Sequence, residues 1–401
     1  MSTVTHSDGV EARINGQSTD ITPFVSRFIW VESMIRGGFF WEIQFTSNVW
    51  SDWNSILLGK ANPHVEFRLK SLEDGNESTT EWRRAITDSS EMMFRGETLF
   101  GKVLGGDRRL ALRQKHLTRA WPQRTVSEIA QIIAADYDMT PRVDDTSLRT
   151  DWFQTNETDW EFLQRLVYES SNAGGRGDLF LWVDEDILHI HAPVLQDASA
   201  RRHDMSIVEG RVDNVLLSYF GRQVDRIGGA TLKTIGYDFR AKKGLTFTLG
   251  SVQAQVHPAL AGRVPRAQAD GVRVMPVPAD SQAEVEANAR GRWSRYAPRY
   301  FAMRCETRPD LTLQVGSTYE MQASIGENQE TPFLGRFLLL EVEHEFVQGS
   351  IKTSAVCFRR EAAEGEEEPT GQNAENASTR DHYRFGVENV PNTIVIAEVL
   401  D

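Results

Sequence analysis

The chain lacks the features that mark several large classes of protein. Its 401 residues include two cysteines, Cys305 and Cys357, too few for a disulfide framework, and both are predicted to be buried free thiols in strands. No apolar run approaches the ~18 residues that a membrane span needs. The N-terminal segment has no basic start followed by an apolar core, so no secretory signal is predicted. These absences favour a protein that is made in a cytoplasm and leaves it only as part of something larger.

An excess of positive charge is also absent. Lysine and arginine number 44 against 57 acidic residues, and the net charge is -13. Short basic clusters occur at Arg108–Arg109, Arg201–Arg202 and Lys242–Lys243, but acidic residues lie close to each of them. A protein that grips phosphates normally presents a basic face. The charge therefore argues against sequence-specific nucleic-acid binding and fits a surface past which nucleic acid slides.

Catalytic motifs are missing as well. The sequence contains no G-x-S-x-G elbow, no H-E-x-x-H and no phosphate-binding G-x-x-x-x-G-K-[ST]. The acidic pair Asp184 and Asp186 lies in a tight turn, where carboxylates are most often solvated turn formers. We predict no enzyme activity, no catalytic residues and no cofactor.

Two histidines come nearest to a metal site. His189 and His191 are two residues apart in a strand, so both rings should point to one face. No cysteine or further histidine lies close to them in the sequence, and a zinc site usually needs three or four such ligands. We interpret the pair as a plain strand face and predict no metal.

The sequence does contain a strand–helix–strand organisation. Residues 11–120 alternate apolar and polar side chains between turn-forming segments, which is typical of five or six short antiparallel strands in a small barrel or sandwich. Residues 121–200 form an α/β insert, and 201–360 return to strands with one helix near 280–296. Residues 361–401 read as an acidic linker followed by a short apolar strand. The fold class is therefore α+β and mostly β.

The α/β insert carries two helices with clear starts. Thr125 with Glu128, and Thr158 with Glu161, have the spacing of capping boxes. Apolar residues then follow at helical spacing. In the first helix these are Val126, Ile129, Ile132, Ile133 and Tyr137; in the second they are Trp160, Leu163, Leu166 and Val167, with Phe162 to one side.

Three passages together resemble the phage tail-hub family, which includes the T-even and Mu baseplate hubs, late control protein D and the N-terminal half of type VI secretion spike proteins. The passages are TVSEIAQIIAADYDM, DWFQTNETDWEFLQRLVYESS, and an ending that runs from LQVG through GRF and EVEHEF to SIKTSAVCFRR. The family has the signature D-[aromatic]-x-F-L-x-R-L. In this sequence it is matched by Trp160, Phe162, Leu163, Arg165 and Leu166. The resemblance covers about residues 11–360, with specific motifs only in 121–195 and 300–360. Ile351 and Ser354 stand where an aromatic is frequent, and 361–401 match nothing.

The resemblance implies two small antiparallel β-barrels of the tail-tube type, joined by an α/β domain. It implies a ring of three chains that adapts a hexameric tail tube to a trimeric spike. The implied partners are a homotrimer, the tail tube or distal tail protein, the spike, the tape-measure protein, and a genome that passes through the lumen unbound. Residues 383–400, which the resemblance does not cover, are a separate candidate for binding the spike. The implied location is the virion tail baseplate, assembled in the bacterial host cytoplasm. His344 matches a family position and is expected to be structural.

Several alternatives remain open at this point. The chain could be the hub of a tailocin or type VI-like injection system. It could be a cell-wall-degrading tail protein, although no segment is left over for such a domain. The helix at 125–138 also resembles the first helix of a LysM module, which would favour peptidoglycan binding. The acidic run 361–368 fits a solvated tether that lets the last strand add to an exposed sheet edge of a partner.

Overall fold

The alternating residues of the N-terminal region form eight strands in a computed structural model of the chain. The model describes residues 8–46, 65–73, 76–95, 98–170, 179–191, 201–205, 216–223, 231–249, 272–277, 279, 281–293, 301–307, 309–323 and 335–361. The eight strands are β1 (Gly9–Ile14), β2 (Gln17–Asp20), β3 (Val25–Ser33), β4 (Gly38–Thr46), β5 (Val65–Glu73), β6 (Asn76–Thr79), β7 (Arg83–Arg95) and β8 (Thr98–Gly106). None of the described helices is long and apolar enough to cross a membrane.

The first β module has the strand order β3-β4-β8-β7-β5-β1, with β2 and β6 paired to β1 and β5. Its strands alternate because one face is buried and the other meets solvent. The buried face is aromatic and includes Phe28, Trp30, Trp41, Phe45 and Phe67. We call these strands module 1.

An α/β unit follows module 1. Its elements are α1 (Arg109–Leu112), β9 (His116–Arg124), α2 (Val126–Asp136), β10 (Thr140–Val143), β11 (Thr150–Thr158), α3 (Asp159–Glu169), β12 (Phe180–Asp184) and β13 (Ile187–His191). Strand β9 pairs with β11, and β10, β13 and β12 form a second sheet. Helix α1 and strand β9 begin before residue 121, the predicted start of the insert, and Leu112 of α1 and Trp121 of β9 lie in the core of this unit.

Both predicted helix starts are confirmed as reciprocal capping boxes, at Thr125 and at Thr158. The apolar faces pack into one core, and Phe162, expected to one side, is fully buried. Ile132 differs from its expectation, since it remains 37% exposed. It occupies the edge of the apolar stripe, where the core no longer covers it.

The chain then returns to strands, which pair into two groups. The strands are β14 (Arg201–Met205), β15 (Leu216–Gln223), β16 (Thr231–Asp238), β17 (Lys243–Leu249), β18 (Val272–Pro276), β19 (Phe301–Thr307), β20 (Thr318–Ala323), β21 (Gly335–Val347) and β22 (Ser350–Glu361). Six of them, in the order β15-β19-β22-β21-β20-β14, form module 2. The two cysteines lie in β19 and β22 as buried free thiols, as predicted.

The helix expected near 280–296 is α4 (Gln282–Trp293), and it does not pack in module 2. It lies on a separate sheet of order β17-β16-β18, with Val285 buried against Val277 and Ala279. The hydroxyl of Thr150 donates to Glu284 on α4 over 2.6 Å. This insert in module 2 is therefore tied to the α/β unit.

The two modules are built alike. In chain order, β1, β3, β4, β5, β7 and β8 of module 1 correspond to β14, β15, β19, β20, β21 and β22 of module 2, and the corresponding strands occupy the same positions in each sheet. Four of the five neighbouring pairs are antiparallel in both modules. The fifth differs, since β1–β5 is antiparallel and β14–β20 is parallel.

The correspondence extends to single residues. In each long hairpin two residues separate the members of the last register pair, which is Arg95 with Thr98 in one and Val347 with Ser350 in the other. Each has a bulge at the same distance before that pair, between Thr87 and Ser89 or between Leu339 and Glu341. A second bulge recurs between Val25 and Arg27 in β3, and between Leu216 and Ser218 in β15. Bulges are specific features of a fold rather than defects, so the two modules share one architecture.

The expectation of an α+β, mostly β protein is confirmed, but the description as two separate closed barrels is not. Within the described residues no pairing closes either module. The modules instead merge into one 14-stranded sheet, because β3 of module 1 pairs with β21 of module 2.

Candidate assembly surface

The joint between the modules is a seven-residue antiparallel ladder. Arg27–Ser33 of β3 face Val347–Glu341 of β21, with Trp30 opposite His344 at its centre. The segment Glu341–Val347 begins just after the bulge, where β20 no longer pairs with β21. An edge that would otherwise carry free N–H and C=O groups is thereby covered within one chain.

An ion pair between a buried glutamate and a partly exposed arginine closes one end of this joint. Arg36, in the β3–β4 turn, donates from Nη2 to Oε1 of Glu341 over 3.0 Å, and its Nε lies 3.0 Å from Oε2. Burial raises the pKa of Glu341, and the charge of Arg36 opposes that rise. The pair therefore ties the turn of module 1 to the joint strand of module 2.

A row of charges of alternating sign crosses the joint on the polar face of the sheet. It consists, strand by strand, of Glu306 (β19), Lys352 (β22), Glu345 (β21), Arg27 (β3), Glu42 (β4) and Lys102 (β8). We call these six residues the charged row. The N–O distances are 2.7 Å for Lys352–Glu306, 2.5 Å for Arg27–Glu345, 3.9 Å for Arg27–Glu42 and 3.0 Å for Lys102–Glu42, and Lys352 is the register partner of Glu345.

The charged row is balanced, with three acidic and three basic side chains. Its members are partly exposed, so each pair contributes little to stability. Its significance lies in the field it creates: neighbouring opposite charges cancel, and such a face neither holds phosphates as a basic stripe does nor repels them strongly.

The carboxylates of the acidic turn at 184–186 remain about half exposed, which fits the solvated turn expected, and two of them also bind arginines. Asp184 accepts from Nη1 of Arg83 over 2.5 Å, and Asp186 lies 2.9 Å from Nε of Arg108. Arg83 is also 3.4 Å from Glu32. Burial raises the pKa of Glu32, and the charge of Arg83 opposes that rise. The turn thus clamps the α/β unit onto module 1 through Arg83, while Arg108 lies in the connection between β8 and α1. These partners are distant in sequence, and no local signal identifies them.

A cavity of about 200 Å³ lies beside this clamp, where three parts of the chain meet. Module 1 contributes Glu32 and Arg83, the α/β unit contributes Trp182, and Gln314 and Val315 come from module 2. The α/β unit therefore packs against both modules at their joint.

The histidine pair faces the same side of its sheet, as predicted. Nδ1 of His189 lies 3.1 Å from Nε2 of His191, and the Trp182 ring stacks on His189 with centroids 4.4 Å apart. Burial and, to a smaller extent, the neighbouring charge of His191 lower the pKa of His189 to about 4. No group of three metal-ligating side chains occurs in the described part of the chain, and the aromatic stack indicates a packing role.

His344 is buried at the joint, and its surroundings are those of a structural residue. Nδ1 lies 2.9 Å from the hydroxyl of Thr353. Burial lowers its pKa to about 4, with Asp310 opposing.

We expect His344 to make the fold sensitive to acid. Its pKa is about 4 when folded and about 6.5 when unfolded, so between these values only the unfolded state takes up the proton. This stability is present above pH 6.5 and is lost as the pH falls towards 4, by about 2 kcal/mol at pH 5. Urea unfolding at pH 7 and pH 5 should show a pH dependence that is smaller by this amount in His344→Gln. An equal pH dependence in both proteins would contradict the assignment.

The helix that resembles a LysM helix is α2, and its apolar face is internal. Val126, Ile129, Ala130 and Ile133 are fully buried in the core of the α/β unit. This arrangement fits a structural insert. The acidic run 361–368 and the strand expected within 383–400 lie outside the described residues.

Comparisons with known proteins place the fold. No protein-family model matches the sequence, and no curated protein matches it. A tail protein from Neisseria meningitidis MC58 matches with a TM-score of 0.61 at 11% identity, over 88% of this chain and 97% of that one. The 43 kDa tail protein of prophage MuSo2 from Shewanella oneidensis matches at 0.59 and 12%, over 88% and 98%.

An E. coli type VI secretion component, described as structurally similar to the T4 bacteriophage tail proteins gp27 and gp5, matches with a TM-score of 0.50 at 14% identity, over 90% of this chain and 79% of that one. At these identities the likeness concerns the fold. The chain has the fold of these tail proteins, and the expected resemblance to the tail-hub family is confirmed at that level.

Proposed function

We propose that this protein is the hub subunit of an injection tail, and that three copies form a ring that joins a sixfold tail tube to a threefold spike. The observation that carries the proposal is the repeat within the chain. Modules 1 and 2 share strand order and bulge positions, and β3 and β21 join them edge to edge.

The repeat answers a problem of symmetry. A ring of three identical chains has three equivalent positions, whereas the end of a sixfold tube has six equivalent binding surfaces. A chain that carries the same module twice presents six similar edges in a threefold ring. The likeness to tail proteins over nearly their whole length supports this role over an unrelated use of the fold.

The charged row is proposed to line the lumen of the ring. Its opposite face is the apolar core of module 1, so the polar face is the one available to a channel. With three charges of each sign, this wall would let the genome and the tape-measure protein pass without being held.

The remaining partners follow from the same arrangement. The tail tube or distal tail protein would stack on one rim of the ring and the spike on the other. Residues 383–400 are proposed to add a strand to the spike after the acidic linker. The protein would act in the virion tail baseplate after assembly in the host cytoplasm, as a structural component and not as an enzyme.

The proposal is tested by the mass and symmetry of the assembled protein. Native mass spectrometry of the purified chain, alone and mixed with its tail-tube protein, should yield a species of three chains. Averaged electron micrographs of that species should show a ring with six similar inner densities. A chain that remains monomeric even with the tube protein, or a ring with another number of chains, would overturn the proposal.

A type VI-like or tailocin hub is the second candidate. It is favoured by the match to the E. coli type VI component, which extends over 90% of this chain. The two candidates predict the same ring, and the particle isolated with the tagged chain distinguishes them: a DNA-containing virion, an empty tail, or a secretion apparatus.

A further inference from the structure

We propose that neighbouring chains are held together by β15 of one chain pairing antiparallel with the second half of β7, Ser89–Arg95, of the next. This inference rests on the proposed ring and names the residues that close it. The joint between β3 and β21 serves as its template, since the same contact occurs once inside each chain.

The correspondence of the modules identifies the two edges. Strand β15 holds the place in module 2 that β3 holds in module 1, and β7 holds the place of β21. Within one chain, β3 of module 1 pairs with β21 of module 2. In the equivalent contact β15 of module 2 would pair with β7 of module 1, and this β7 must belong to a second copy of the chain.

Both edges are open as far as the described strands go. Strand β15 is the last of its sheet and pairs only with β19. Strand β7 pairs with β5 only through Arg83–Ala85. Beyond its bulge, the described part of the chain places no strand on the edge of Ser89–Arg95 opposite β8. In β21 the corresponding stretch, Glu341–Val347, is where β3 binds.

The shared bulges define the register. Arg27 in module 1 is equivalent to Ser218 in module 2, because each is the first residue after the bulge in its strand. In the same way Val347 in module 2 is equivalent to Arg95 in module 1, because each is the last paired residue of its strand. Carrying over the pairing of Arg27 with Val347 sets Ser218 opposite Arg95. The derived pairs are Ser218–Arg95, Tyr219–Phe94, Phe220–Met93, Gly221–Met92, Arg222–Glu91 and Gln223–Ser90.

The derived register brings opposite charges together. Position 222 is an arginine, and it falls opposite Glu91, an exposed glutamate. Glu91 is the register partner of Lys102, the last member of the charged row. The seam would therefore extend the alternation of sign from Lys102 through Glu91 to the next chain, which favours this register over a slipped one.

Such a seam is head to tail, because it joins two different edges of the same chain. Contacts of this type repeat around an axis and close into a ring when the rotation permits. They also cover two sheet edges that would otherwise promote aggregation.

Cysteine cross-linking tests the register directly. Glu91→Cys and Arg222→Cys in one chain should yield covalent dimers and trimers on mild oxidation, because directly opposed residues lie within disulfide reach. The matched control is Phe94→Cys with Arg222→Cys, in which the two positions are about 10 Å apart along the strand. We expect roughly tenfold more covalent trimer from the first variant than from the control.

A charge exchange provides the second arm. Glu91→Arg should weaken the trimer in native mass spectra, and Glu91→Arg with Arg222→Glu should restore it. A wild-type trimer combined with equal cross-linking in both cysteine variants would overturn the seam and leave the hub function standing. A wild-type chain that stays monomeric with its tube protein would overturn both. Each outcome therefore has a separate meaning.

Discussion

Replacing Asp107 with alanine is expected to lower the free energy of unfolding by about 4 kcal/mol, because it leaves two buried backbone N–H groups without an acceptor and removes a negative charge that offsets the buried charge of Arg109. Asp107 accepts from the backbone N–H of Phe39 over 2.6 Å and from that of Arg109 over 2.9 Å. Arg109 is 1% exposed. Its guanidinium lies 3.9 Å from the centre of the Phe40 ring and donates to the carbonyl of Arg36.

The burial that makes this pair sensitive also shifts its ionisation. Desolvation raises the pKa of Asp107 to about 6 against the opposing charge of Arg109, and it lowers the pKa of Arg109 to about 10. Each charge therefore partly offsets the cost of burying the other. Once Asp107 is removed, the buried Arg109 charge keeps the Arg36 carbonyl and the Phe40 ring but loses this compensation.

Two further variants separate charge from hydrogen bonding at this site. Asp107→Asn keeps one acceptor and should lose less stability than Asp107→Ala. Asp107→Ala combined with Arg109→Met removes both charges and should recover part of the loss. Urea unfolding monitored by tryptophan fluorescence measures all three. A loss below about 1 kcal/mol for Asp107→Ala would show that the pair is not buried as described.

Gly37→Ala is expected to cost about 3 kcal/mol, from backbone strain and overpacking together. Gly37 has a φ of +83° in the β3–β4 turn, and an added Cβ would overlap the Trp160 ring of α3. The turn cannot withdraw, because Val183 N donates to the Gly37 carbonyl over 3.0 Å. The substitution should loosen the contact between the α/β unit and the joint.

Gly349 provides a matched control for Gly37. It lies in the β21–β22 turn with the same φ of +83°, and nothing lies within 4 Å of its added Cβ. Gly349→Ala should therefore show the backbone strain alone, about 1 kcal/mol. The difference between the two variants measures the contact with Trp160. Equal losses would mean that the α/β unit does not rest on this turn.

Local features of the fold could be predicted from the sequence because their causes are local. The capping boxes at Thr125 and Thr158 lie within four residues of their partners, and strand alternation records which face is buried. The candidate surface could not be found in this way. Arg27 and Glu345 are 318 residues apart, and neither stands out in its own segment.

The repeat of the modules is also hidden in the sequence. Phe40 and Trp41 in β4 are structurally equivalent to Ala302 and Met303 in β19. Equivalent positions therefore have the same place in the strand register but different types of residue. A bulge is a property of pairing between two strands, and it appears only once both are placed.

The sequence alone thus determined the fold class, the capped helices, the buried thiols and the likeness to tail hubs, since periodicity and short motifs act over a few residues. Only the tertiary structure decided that β3 pairs with β21, that the acidic turn at 184–186 binds two arginines, and that the charges on six neighbouring strands alternate in sign. These depend on which sheet edges meet, and that is settled by long-range packing, in which many different side chains satisfy the same register.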